Sequence, residues 1–148
     1  MKSIFKLYIF KLAILSLTMI FISFGASANN VEELYKYCKP FQNNGLTLDG
    51  LNIKQQRSGL LCATYIRAMI DMGGQNCVYL NEMYKSTSDK IGIQVLSSFH
   101  ANDRKAPLNA VITSFVIFAE NNTSKWKYTP ASYVKEFINK NYPCKLEE

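Results

Sequence analysis

The run from Pro107 to Glu120, PLNAVITSFVIFAE, decides the fold class. Its centre, Val111 to Phe118, is rich in β-branched and aromatic residues, so composition alone also allows a buried strand. Two features favour a helix. Pro107 suits a first helical turn, where its missing N–H costs nothing. The run is also longer than the four to eight residues typical of a strand. Wound as a helix, it places Leu108, Val111, Ile112, Phe115, Val116, Phe118 and Ala119 on most of its faces. A helix apolar nearly all round belongs at the centre of a domain.

The neighbours follow the same period. On the C-terminal side, Asn121 to Tyr128 is polar and reads as a loop. Thr129-Pro130 then supplies a cap and first-turn proline for a helix built on Ala131, Tyr133, Val134, Phe137 and Ile138, ended by Pro143. On the N-terminal side, His100 to Ala106 reads as a loop carrying Asp103, Arg104 and Lys105. Before it a helix is expected after Ser86-Thr87-Ser88-Asp89, capped by a serine or threonine, with Ile91, Val95, Leu96 and Phe99 as its inward stripe. Further upstream, Leu61, Cys62, Tyr65, Ile66, Met69 and Ile70 define one side of a helix running from Leu51 or Ile53 to Met72. Gly73-Gly74 is expected to stop it. A first short helix spans Val31 to Cys38, capped by Asn30 with Glu33 three residues on. Pro40 and Asn43-Asn44-Gly45 end it. The expectation is an all-α domain, a compact bundle of about five helices.

The first 28 residues read differently. Lys2, Lys6 and Lys11 precede an apolar stretch from Leu12 to Phe24, and Ala26-Ser27-Ala28 is a small-x-small site. This is the layout of a signal peptide cleaved after Ala28. The apolar stretch is short for a membrane span, which needs about 20 residues. Residues 29–148 are then a single exported domain, expected in the periplasm and off the membrane. The whole chain has a formal charge of +6; without the leader 14 basic and 11 acidic residues leave +3. So small a charge, on an exported chain, argues against nucleic acid as a partner.

Four cysteines remain, Cys38, Cys62, Cys77 and Cys144. An even number in an exported chain reads as two disulfides, with three pairings open. Zinc is a poor alternative, since no two cysteines stand two to four residues apart and His100 is the only histidine. Disulfide pairing also removes the thiolate that a Cys–His nucleophile needs. No G-x-S-x-G, P-loop, GxGxxG or HExxH motif is present. Neither a catalytic residue, a metal nor a cofactor is expected, and Asp71 with Arg67 at i−4 reads as a surface ion pair. Trp126, between Lys125 and Lys127 and followed by Tyr128, reads either as a contact patch or as a cover for one end of the bundle.

Cys62-Ala63-Thr64-Tyr65-Ile66, Asp71 and, after Gly-Gly, Cys77 form one recognisable group. Pro130-Ala131-Ser132-Tyr133-Val134, Phe137-Ile138 and Tyr142-Pro143-Cys144 form a second, and Leu34-Tyr35-Lys36-Tyr37-Cys38 a third. Together, over most of residues 31–144, they resemble the Rap/Tai immunity proteins of type VI secretion systems. The chain departs from that pattern at Ala68, where glycine is frequent, and over residues 78–106, a longer stretch than in compact members. The resemblance implies a periplasmic inhibitor, often a homodimer, that binds a cognate peptidoglycan amidase effector over its active-site cleft. It would protect the producer and its siblings. Occlusion needs a rigid scaffold and a protruding loop. Asn102, Asp103 and Arg104 of one loop and Lys125, Trp126 and Tyr128 of the other are the candidate toxin-binding residues. The favoured disulfides are Cys38–Cys62, across the first two helices, and Cys77–Cys144, holding the tail. The rival reading is a small periplasmic chaperone that holds unfolded clients; an unfamiliar secreted enzyme is a third.

Overall fold

The computed structural model describes residues 28–42, 46–103 and 105–147, without the Phe99 side chain. The expected leader, apart from Ala28, the expected terminator Asn43-Asn44-Gly45 and Arg104 lie outside the described residues. Five α-helices and no strand are present among them: α1 Val31–Cys38, α2 Ile53–Ser86, α3 Lys90–His100, α4 Leu108–Glu120 and α5 Pro130–Asn141. The fold is all-α and carries two disulfides, Cys38–Cys62 and Cys77–Cys144.

Capping chemistry sets most of the boundaries. The Asn30 side chain accepts from the Glu33 N–H, but the Glu33 carboxylate accepts from the Asn29 N–H, one residue before the cap. Asn52 and Gln55 form the full reciprocal box at the start of α2. Asp89 caps α3 through the Gly92 N–H, in place of the expected serine or threonine. Pro107 stands just before the first turn of α4 rather than within it.

The central run is helical as expected. Val111, Ile112, Phe115, Val116 and Ala119 of α4 are buried against α1, the first half of α2, and α5. Phe115 meets the Tyr133 and Phe137 rings edge-on at 6.3 and 5.9 Å. Cys38 and Cys62 join inside this core, with Cα atoms 5.0 Å apart. Phe41 lies flat on Gly59, where a Cβ would come within 2.5 Å of the ring.

α2 does not stop at Gly73-Gly74. It runs on to Ser86, 34 residues in all, about 50 Å at the helical rise. A glycine ends a helix by turning left-handed, yet the only positive-φ glycine among the described residues is Gly50. Beyond the glycines, Cys77, Leu80 and Tyr84 continue an inward face at i, i+3 and i+7. What the glycine provides is room. Asn102, after α3, sits against Gly73 so closely that a Cβ there would lie 1.7 Å from its Oδ1. The Asn102 N–H donates to the Gly73 carbonyl at 3.3 Å, and its Nδ2 donates to the Ile70 carbonyl at 3.2 Å.

α3 folds back along the second half of α2 and also meets α5. The resulting arm has its own small core of Leu80, Ile93 and Ala101, flanked by Met83, Tyr84 and Leu146. Cys77–Cys144 clips the C-terminal tail to it, and the Glu147 N–H donates to Asn81. The expected inward stripe of α3 is reversed. Ile93, Ser97 and Ala101 face α2, while Ile91 (77% exposed), Val95 and Leu96 face solvent. The helix is apolar on both sides, and periodicity alone did not identify the side that packs.

One buried group is left unsatisfied. The Tyr133 hydroxyl has no hydrogen-bond partner among the described residues. Burial, then the nearby Glu136 charge, pushes its pKa from 10 up to about 12. A raised folded-state value means that the unfolded chain ionises first. Stability is therefore retained below pH 10 and lost as pH rises toward 12. Tyr133→Phe removes both the orphan hydroxyl and this alkaline loss. The expected change is a gain of up to about 1 kcal/mol at neutral pH in urea titration, with a flatter stability profile above pH 10. A loss of more than that amount would show that the hydroxyl has a partner in solution.

Candidate functional site

The five candidate contact residues that are described, all but Arg104, divide between the two ends of α5. Asp103 lies beside the C-terminal end, its N–H donating to the Tyr142 carbonyl at 2.8 Å. Tyr128 stands two residues before Pro130, at the N-terminal end. α5 is 12 residues long, so about 18 Å of helix separates the groups. They do not make one patch.

Their individual surroundings differ further. Asn102 is 1% exposed and serves as the peg in the Gly73 notch, so it is no surface contact. Asp103 is exposed, its carboxylate accepting from the Lys105 N–H. Trp126 belongs to the architecture. Its Nε1 donates to the Ala119 carbonyl at 2.8 Å, and its ring stacks on Tyr35 at 5.1 Å. The carbonyls of Trp126 and Tyr128 accept from the Glu32 and Val31 N–H groups and so hold the start of α1. Trp126 is half-buried, and these ties are what its reading as a cover for one end of the bundle expects. Lys125 reaches Glu136 at 3.9 Å and lies 6.0 Å from the centre of the Tyr133 ring. Tyr128 is exposed.

Beside Trp126 is a polar cluster. The Tyr35 hydroxyl donates to Glu120 at 3.0 Å, and Lys39 pairs with the same carboxylate oxygen. Lys39, then Tyr35, holds the Glu120 carboxyl below its ordinary value. Desolvation, then the carboxylate, raises Tyr35. Arg67 and Asp71 form the expected i, i+4 pair at 3.0 Å. The Tyr35–Glu120 and Lys39–Glu120 contacts tie α1 and the turn after it to α4, whereas Arg67–Asp71 lies within α2.

All four cysteines are disulfide-bonded. His100 is the exposed last residue of α3 rather than part of a loop. Its Nδ1 lies 2.9 Å from the Lys135 Nζ. Among the described residues no group of three His, Cys, Asp or Glu side chains is placed to hold a metal, and no helix is long and apolar enough to cross a membrane.

Two surface features remain, both unforeseen in the sequence. The first is the outward side of α3, where Ile91, Val95 and Leu96 are exposed; Val78 and Tyr79 are exposed separately, on the side of α2 turned away from α3. No charged residue occurs between Asp71 and Glu82 or between Lys90 and His100. The second is a groove of about 660 Å3 between α3 and α5, bounded by Ser98 and His100 on one side and Lys135, Glu136, Asn139 and Lys140 on the other. Positions 132, 135, 136, 139 and 140 are one face of α5, legible as a period but not as a concavity until α3 is placed beside it.

No family model matches the chain, and neither a curated protein nor a solved structure does.

Proposed function

We propose that this protein is a binding protein of the immunity type, exported to the periplasm, that inhibits a peptidoglycan amidase effector of a type VI secretion system by covering its active site. The observation that carries the reading is the uncharged apolar face of the arm. Exposed apolar side chains grouped on one rigid element mark protein contact surfaces. A disulfide-clipped arm loses little conformational entropy when its partner binds. The motifs shared with the Rap/Tai proteins supply the class of partner. Asn102 and Trp126 of the two loops are tied into the bundle, so the arm is put forward as the contact surface, with the exposed Asp103 and Tyr128 as further candidates. Cleavage after Ala28 would turn the Asn29 nitrogen, 2.8 Å from a Glu33 oxygen, into a terminal ammonium facing that carboxylate.

The test is protection. The chain and the effector encoded beside it are both directed to the periplasm of a sensitive bacterium. Survival that depends on export of the chain, with co-elution of the purified pair, is the expected result. Ile91→Asp with Val95→Asp alters only solvent-facing positions, so stability should change by less than about 0.5 kcal/mol. Protection and co-elution should nevertheless be lost. Lysis with the unaltered chain overturns the immunity reading. Retained protection by the double variant moves the contact elsewhere. Suppressed aggregation of unrelated unfolded proteins, without complex formation, would instead support the chaperone reading.

A further inference from the structure

The groove between α3 and α5 has a chemistry distinct from the apolar face. Lys135 Nζ and His100 Nδ1 are 2.9 Å apart. An ammonium has no acceptor, so Nδ1 must accept and the neutral ring carries its proton on Nε2. The pair therefore offers only donors to a ligand, the Nε2–H and the remaining ammonium hydrogens. Lys140 lines the same groove. Neither lysine has a carboxylate within ion-pair distance among the described residues. One acid, Glu136, also lines the groove, exposed and 3.9 Å from Lys125, which leaves the two lysines in excess. The lining is nevertheless mostly aliphatic, from the stems of these side chains together with Pro143. A volume of about 660 Å3 is that of a ligand site, large for a single inorganic anion.

We propose that this groove receives an acidic segment of a partner protein, an extended stretch whose carboxylate meets Lys135, Lys140 and His100 while its apolar neighbour lies on the aliphatic floor. Charge complementarity selects the occupant. A second copy of this chain would bring its own lysines to a groove already cationic. The inference rests on the reading of the chain as a protein-binding inhibitor, but not on the activity of the partner. Its position beside the arm would let one partner engage the apolar face and the groove at once.

His100 is the only histidine, so its ring protons are a resolved NMR probe of the groove. The purified protein is titrated with a pool of capped hexapeptides carrying glutamate or aspartate at every second position. A matching pool with lysine or arginine, and glutarate alone, are the comparisons. Saturable movement of the His100 signals by the acidic pool only is expected. Lys135→Glu and Lys140→Glu should each weaken it by about tenfold. Lys54→Glu, an equal charge change on the exposed start of α2, should leave it within twofold. Lys140→Glu alters an exposed side chain, so it tests the groove even if Lys135→Glu disturbs His100. The proposal fails if the acidic pool moves nothing, or if the basic pool moves the signals equally. It also fails if glutarate matches the peptides, which would make this a small-anion site, or if protein concentration alone moves the signals, which would make the occupant a second copy. Protection by the chain can fail while this titration succeeds, so the two readings are separable.

Discussion

Gly73→Ala should destabilise the protein by about 1–3 kcal/mol, although alanine is the better helix former. At an ordinary interior helical position the same change stabilises by up to about 1 kcal/mol. Here the added Cβ would lie 1.7 Å from Asn102 Oδ1 and 2.8 Å from its Cγ. Asn102 has little room to yield. It is fully buried, its N–H and Nδ2 bond to α2, and an antiparallel bridge pairs it with Pro143. Displacing it leaves buried polar groups without partners and detaches the connection between α3 and α4 from the long helix. Urea titration checks the magnitude. A double-mutant cycle checks the cause, because in an Asn102→Ala background the clash is absent and Gly73→Ala should no longer cost stability. An unchanged or raised stability in the single variant would mean that the notch is not occupied as described.

Replacing Cys77 and Cys144 by serine should have the larger effect. The link closes 67 residues of separation, and releasing a loop of that length returns about 4 kcal/mol of entropy to the unfolded chain. The same model gives about 3 kcal/mol for Cys38–Cys62, which spans 24. The damage should also be uneven. Among the described residues the arm's own core is Leu80, Ile93 and Ala101, so without the clip few contacts keep α3 and the tail in place. Amide exchange should accelerate over residues 77–100, while Ile66, Phe115 and Phe137 continue to exchange with global unfolding. A loss below about 1 kcal/mol, or uniform acceleration, would overturn this. Since the apolar face lies on the arm, protection should weaken with it.

How much was legible in the residues depended on how local the signal was. The helix at 107–120 was readable because proline placement and run length both act within one turn. The bounds of α1 and α5 were readable for the same reason. The second half of α2 was missed because two consecutive glycines resemble a stop, and only contact with Asn102 shows why they are there. The α3 stripe was misassigned because that helix is apolar on two sides, and the choice between them depends on Ile93 and Ala101 meeting Leu80. Asn102 reads as a surface residue because polar, loop-borne positions usually are, and its burial comes from Gly73 and Ile70, distant in sequence.

By itself, then, the order of residues determined the all-α class, the periods and caps of most helices, and the presence of four cysteines where oxidation can pair them. Those properties arise from interactions within a turn or two of backbone. The tertiary structure decided which face of α3 packs, which glycine is a notch, where the apolar face and the cationic groove lie, and that the two suspected loops stand at opposite ends of α5. Those outcomes depend on which surfaces exclude water together, and that choice is made only when residues far apart along the chain meet.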